Sequence, residues 1–303
     1  GRMIGGQIWG DAETSCRISK LREVDGTSYI GGFAGKVDPG SAVALDTATS
    51  QGLLNGILHA LHLLNAPANL VQVLSATVST IRYADVESWD DWGIIVNGIY
   101  LDQTKANTSY AKAAGGFAGS ISGAVLGEKN TEEAGIHAEG IRTVTGGEYA
   151  GGCFGIADVS AVADISKNGE TDLLGQVLQI GSVNVLDAFR TYVYDGIVSG
   201  SKDAGLTVSA NTAVKSGQND EVTYSGNAGG FGGSLMNGSV KNSSVTGLRS
   251  VMAMNSAGGF VGYSGKSGVV GADKFNVLGS SVTQLLGGSL GVLDVFGSHI
   301  EKS

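Results

Sequence analysis

One short phrase returns along this chain and limits what it can fold into more than any other feature: Gly-Gly, a short largely apolar step, then Gly. It reads Gly5-Gly6-Gln7-Ile8-Trp9-Gly10, Gly31-Gly32-Phe33-Ala34-Gly35, Gly115-Gly116-Phe117-Ala118-Gly119, Gly151-Gly152-Cys153-Phe154-Gly155, Gly229-Gly230-Phe231-Gly232-Gly233 and Gly258-Gly259-Phe260-Val261-Gly262. Such recurrence is the mark of a repeat architecture. Successive copies start 26, 84, 36, 78 and 29 residues apart, so short and long intervals alternate. The unit is therefore a pair of coils, one plain and one carrying an insertion of roughly 45 to 55 residues.

Composition narrows the class. Glycine accounts for 50 of 303 residues and proline for 2, which excludes a collagen helix, since that needs a Gly-X-Y period and abundant proline. With 42% hydrophobic and 16% charged residues, the chain is too apolar to stay disordered. A net charge of −9 argues against nucleic acid as a partner, because like charge opposes binding to the phosphate backbone. No run of eighteen apolar residues is present, so no membrane insertion is expected within the segment. Two cysteines, Cys16 and Cys153, are too few for a disulfide framework or a zinc site; free buried thiols are the favoured reading. The chain opens in mid-repeat, and the expectation is one repeat domain over 1–303, a piece of a longer array.

The plain intervals read as strands. Cys16 and Ile18 alternate with Arg17 and Ser19, and Val245 to Val251 and Ile141 to Val144 have the same outline. Short β-branched runs punctuated by glycine are strands and turns. Three short strands with their turns fit one coil of a right-handed parallel β-helix, in which each coil buries its inward residues against its neighbours. About six such coils are expected. The glycines of Gly5 and Gly6, Gly31 and Gly32, Gly115 and Gly116, Gly151 and Gly152, Gly229 and Gly230, and Gly258 and Gly259 would form corners, by positive φ or by close backbone approach. The rings of Phe33, Phe117, Phe154, Phe231 and Phe260 would form an inward aromatic ladder.

The insertions have a different period. Leu53, Leu54, Ile57, Leu58, Leu61 and Leu64 fall on one helical face after Ser50, and Pro67 opens a second apolar run. Leu173-Leu174 and Leu285-Leu286 repeat the theme. Three helical hairpins are expected on alternate coils, at about 48–82, 170–194 and 281–298. The polar stretch 201–228 is expected to hold an exposed loop near Ser216–Glu221.

The repeated phrase, followed by turns such as Gly238-Ser239-Val240 and Ser122-Gly123-Ala124, resembles the glycine-rich, GLUG-like repeats of large bacterial cell-surface proteins and adhesins. The resemblance covers the six phrases, about half the chain. It implies an extracellular, cell-surface β-solenoid used as a stalk, adhesin or assembly module, with flanking repeats, further copies of itself, or a host glycan or protein as partners.

The best candidate for ligand chemistry is the acidic and aromatic segment Asp85, Glu87, Trp89, Asp90, Asp91 and Trp92. Carboxylates beside indoles suit a glycan or a hard cation, or acid and base in glycoside cleavage; the bland alternative is a solvated turn. His59 and His62 stand three apart with no third ligand in view, while His137 and His299 look isolated. Arg82 and Arg190 each precede a Tyr and an Asp, as stacked ion pairs would. No Gly-x-Ser-x-Gly precedes a helix with a matching His and acid. The reading is a non-catalytic structural or adhesive module that needs no cofactor and can assemble end to end. A carbohydrate-active β-helix enzyme, lyase or hydrolase, is the alternative.

Overall fold

The structure, a computed structural model of the chain, describes residues 1–39, 78–102, 107–158, 190–216, 221–265, 276–277, 280–281 and 298–303. These residues form a mainly β architecture of stacked, all-parallel sheets, the arrangement of a β-solenoid. Each coil has four sides rather than three. Side one stacks Arg2–Ile4, Ala34–Asp38, Ala118–Ser122, Phe154–Asp158, Gly232–Met236 and Val261–Gly265, in chain order and parallel. Side two stacks Gln7–Trp9, Ser79–Arg82, Ala124–Leu126, Tyr192–Tyr194, Ser239–Lys241 and His299–Glu301. Side three is long and bent, running from Cys16–Leu21 with Glu23–Asp25 in coil 1 to Ser244–Thr246 with Leu248–Ala253 in coil 5. Side four is short: Tyr29–Gly31, Ala113–Gly115, Tyr149–Gly151, Asn227–Gly229 and Ser256–Gly258.

Parallel pairing in fixed register turns each inward position into a column. Val24, Val96, Val144, Val208 and Val251 lie above one another on side three, and the middle three are fully buried. Side one buries Val37, Ile121, Ala157 and Leu235 in the same way. Side four carries Ile30, Ala114, Ala150 and Ala228 inward, small side chains suited to a narrow edge. Each fully buried Val, Ile or Leu contributes roughly 1.5–3 kcal/mol, gained only with a neighbour above and below.

Five of the six glycine phrases are in register, at the corner from side four to side one. The first glycines, Gly31, Gly115, Gly151, Gly229 and Gly258, would place a Cβ against the carbonyl oxygen three residues ahead. The second glycines, Gly32, Gly116, Gly152 and Gly230, would meet a carbonyl oxygen of the next coil. The third, such as Gly155 and Gly233, lie on the side-four backbone of the preceding coil. Close approach is thus the requirement, and none of these glycines has a positive φ. The sixth copy departs from expectation. Gly5 sits at the corner between sides one and two with φ 57°, the position taken by Gly123 at 52° and Asn237 at 53°. Their amides donate to Asp38 O, Asp158 O and Gly265 O of the next coil, at 3.1, 3.2 and 3.1 Å.

The aromatic ladder forms in two parts. Phe33 stacks on Phe117 at 4.8 Å, and Phe231 on Phe260 at 4.9 Å, both with nearly parallel planes; these spacings equal the inter-strand distance of a sheet. Between them Cys153 occupies the ladder position, bonded through the backbone to Phe117 and Phe231. Phe154 is displaced by one residue and meets Phe231 edge-on at 5.7 Å. Both cysteines are free; Cys153 is buried, and burial pushes its thiol pKa well above the usual range.

The alternation of plain and enlarged coils is present and has a simple geometry. Coils 1, 3 and 5 close the corner between sides one and two with the single left-handed residues named above. In coils 2, 4 and 6 the chain leaves that corner after 39, 158 and 265 and rejoins it at 78, 190 and 298. Coils 2 and 4 carry a second excursion between sides three and four, the antiparallel hairpins Ile99–Asp102 with Asn107–Tyr110 and Thr212–Ser216 with Glu221–Ser225. The second flanks 217–220, so the loop expected near Ser216–Glu221 lies largely outside the described residues. Most of the expected helical hairpins, like His59 and His62, lies outside the described residues. Their described margins are not helical. Ser79–Arg82 turns Ser79 and Ile81 inward and Thr80 and Arg82 outward, a period of two, and Tyr192–Tyr194 and Ser280–Ser281 are also strands. Among the described residues the helical element is the short 3-10 turn Glu132–Ala134.

Candidate functional site

Side three bends in every coil at a left-handed residue: Lys20 at φ 60°, Gly93 at 99°, Gly140 at 72°, Gly205 at 69° and Gly247 at 66°. In coil 2 this bend widens into 89–92, the acidic and aromatic segment singled out above. In coil 4 it widens into 201–205. The two loops meet across coil 3, where Lys202 Nζ lies 2.8 Å from Asp91 Oδ1 and Asp203 N donates to Asp91 O at 3.2 Å. The salt bridge and hydrogen bond to Asp91 raise the Lys202 pKa. Coil 1 holds the other end, with Arg22 Nη2 2.9 Å from Asp90 Oδ2. Within the loop, Trp92 N donates to Asp90 Oδ1 at 3.2 Å, and Ser88 Oγ donates to Asp90 O.

Both indoles project from this latched loop, Trp89 53% and Trp92 46% exposed. Each has a cationic backing. Arg142 Cζ lies 4.2 Å from the Trp92 ring centre, and its Nη1 donates to Trp92 O at 3.2 Å. Lys20 Nζ and Arg22 Cζ lie 5.4 and 5.6 Å from that of Trp89. Cation–π contact restrains ring orientation at an exposed site for about 0.5–1 kcal/mol.

Asp85 and Glu87 stand apart from this loop, on the outer face of the strand Ala84–Ser88. Arg17 Nε in coil 1 is 3.7 Å from Asp85 and 3.3 Å from Glu87. His137 in coil 3 brings Nδ1 to 3.0 Å from Asp85 Oδ1. Arg17, Asp85 and His137 thus form a register column, and His137 is far from isolated. Glu87 is in register with Glu139. All four carboxylates of the segment have cationic or imidazole partners, and no group of three His, Cys, Asp or Glu side chains among the described residues is arranged to hold a metal ion.

Sequence reasoning missed a second place. The outer face of side two holds a groove of about 760 Å³ crossing coils 2 to 6. Its floor includes Tyr192 and Tyr194, stacked at 5.7 Å and 4°. An ion pair lies on either side, Arg82 with Glu128 and Lys241 with Glu301, both at 2.9 Å. Arg82 and Arg190 both line this groove, and Arg82 lies over Trp9 at 5.2 Å. Compared with known proteins, the chain matches no family model, no curated protein and no solved structure.

Proposed function

We propose that this chain is a non-catalytic, extracellular structural and adhesive module of a bacterial surface protein, with the Trp89–Trp92 loop as its adhesive element and a host glycan as partner. The supporting observation is the loop itself: two half-exposed indoles, each backed by a guanidinium or ammonium group, on a segment tied to coils 1, 3 and 4. Exposed, oriented aromatic rings pack against the apolar faces of sugars at little entropic cost. The neighbouring carboxylates serve as ties. Right-handed winding belongs to this reading, because parallel strands joined by crossovers wind that way in nearly all proteins. So does stacking of flanking repeats or further copies on the outermost coils, where Ile4, Met252 and Ile300 are exposed and where, among the described residues, no strand pairs with the outer edge of Arg2–Ile4 or His299–Glu301.

The test is binding of the chain to a glycan array, repeated with Trp89→Ala/Trp92→Ala. Loss of on the order of tenfold or more in affinity is expected, since central aromatic anchors dominate such contacts. Binding unchanged in the double variant overturns the adhesive assignment, and a sedimentation series showing only monomer at all concentrations removes the stacking.

One observation favours the carbohydrate-active enzyme as a second reading. Asp85, Glu87 and Glu139 lie on neighbouring coils with His137 against Asp85, a grouping able to move protons. Polysaccharide turnover abolished by Asp85→Asn would establish it; retained turnover in that variant, or none on any polymer, would exclude it.

A further inference from the structure

The groove on side two lies on a different face from the Trp89–Trp92 loop and is absorbed by neither reading above. We propose that it binds an acidic carbohydrate chain, with a sugar carboxylate at Arg82 and a pyranose face against Tyr192. Its volume, about 760 Å³, falls within the range of sites that enclose ligands. The inference rests on three features.

The first is Arg82. Its Nη1 is engaged by Glu128 and its guanidinium lies over Trp9, yet its Nε is buried without a hydrogen-bond acceptor. That Nε is out of a ligand's reach, but the Arg82 side chain is 30% exposed at the groove, so the open edge of its guanidinium can meet a ligand oxygen. Carboxylate is the acceptor for which guanidinium geometry is best suited.

The second is charge. Arg82, Lys129, Arg190 and Lys241 line the groove against Glu128 and Glu301, an excess of positive charge on a chain of net charge −9. Such a local reversal attracts anions to this face while the rest of the molecule repels large polyanions.

The third is shape. The Tyr192 and Tyr194 rings are stacked in parallel between the two ion pairs, with Tyr194 buried and Tyr192 offering the aromatic surface to the groove, which runs across successive coils about 4.8 Å apart. An aromatic face suits a pyranose ring better than an extended acidic peptide, whose carboxylates need no such surface.

The experiment is calorimetric titration of the full chain with oligogalacturonate, a neutral gluco-oligosaccharide of equal length, and polyglutamate. Saturable binding of the uronate alone is expected. Arg82→Gln should weaken it about tenfold or more, the equivalent of losing one charge-assisted hydrogen bond, and Tyr192→Ala should weaken it as well. Because Arg82 also pairs with Glu128, Lys129→Ala provides a second test: this exposed side chain can be removed without touching the coil, and affinity should fall with the melting curve unchanged. Trp89→Ala/Trp92→Ala should leave uronate binding intact, so failure here and failure of the adhesive loop are separable. Three results overturn the proposal: no uronate binding, equal binding of the neutral oligomer, or wild-type affinity in both Arg82→Gln and Lys129→Ala. Equal or tighter polyglutamate binding would reassign the groove to an acidic peptide.

Discussion

The Phe154 ring fills the space that a side chain at Gly232, directly above it in coil 5, would need. A Cβ placed on Gly232 falls 2.5 Å from Phe154 Cζ. The pairing compensates for the reversed order in coil 4. Coils 2 and 3 place large before small, Phe33-Ala34 and Phe117-Ala118, whereas coil 4 has Cys153-Phe154. Gly232→Ala should destabilise by about 1–3 kcal/mol through overpacking, and Phe154→Ala by about 3–5 kcal/mol through the cavity it leaves. Cys153→Phe combined with Phe154→Ala restores the order of coils 2 and 3. Its stability in urea should exceed the sum of the single variants, with a coupling of about 0.5–3 kcal/mol. Additive losses would show that the two positions do not share space.

Gly116 and Gly259 occupy equivalent places in the repeated phrase and face opposite surroundings. A Cβ on Gly116 would overlap the Gly152 carbonyl of the next coil, whereas a Cβ on Gly259 has nothing within 4 Å. Backbone cannot rotate away as a side chain can, so Gly116→Ala should cost about 3 kcal/mol or more. Gly259→Ala should be neutral or slightly stabilising, because alanine restricts the unfolded chain. Thermal melts of the two variants decide this. Equal losses would place the sensitivity in the turn's own conformation and not in the contact between coils.

The coil-to-coil register was legible because glycine answers a demand no other residue can meet: where two backbones touch, nothing with a Cβ fits. The same logic misassigned the first copy. Gly5 is required for its positive φ, a demand that Asn237 also meets in coil 5, so residue type alone could not separate the two corners. The Trp89–Trp92 loop was legible as a candidate because its indoles and carboxylates are contiguous. The Asp85–His137 contact was not, since Asp85 and His137 stand at unequal distances from their following Gly-Gly. The 89–92 loop and the 99–110 hairpin intervene in coil 2 alone, and only the register of side three brings the two residues opposite. The side-two groove was hidden for the same reason: Arg82, Tyr192 and Lys241 come from three coils separated by excursions of different length.

On side two, Lys241 holds Glu301 at 2.9 Å, and the hydrogen bond and charge of Lys241 lower the Glu301 pKa. A carboxyl whose pKa is lower folded than unfolded stabilises above the unfolded value, about 4.3, and that contribution is lost as pH falls through the folded value. Acidification below about pH 4 should therefore loosen His299–Glu301 before the inner coils. Amide exchange at Ile300 and Glu301 should accelerate in that window, and Lys241→Met should remove the pH dependence while raising the neutral-pH exchange rate. Exchange that accelerates equally in Val193 and Val240, the inner strands of the same side, would point to global acid unfolding instead.

The latch between Lys202 and Asp91 ties the 89–92 loop to coil 4. Both side chains are largely exposed, so the pair adds little to global stability, and Lys202→Met should leave the melting temperature unchanged. Its effect should be local. Without the Lys202 ion pair, the 89–92 segment retains Arg22 at one end, Arg142 behind Trp92 and the Asp203 N to Asp91 O hydrogen bond, and it loses its charged tie to coil 4. Acrylamide quenching of tryptophan fluorescence should then increase, and glycan affinity should fall because ordering the loop becomes a cost of binding. Since Asp91 raises the Lys202 pKa, the latch holds through neutral pH, and on the alkaline side it opens when pH passes that raised value. The wild-type chain should therefore acquire the quenching of Lys202→Met at high pH, and the variant should show no such transition. Identical quenching of both proteins at pH 7 would mean that the loop keeps its shape without the latch.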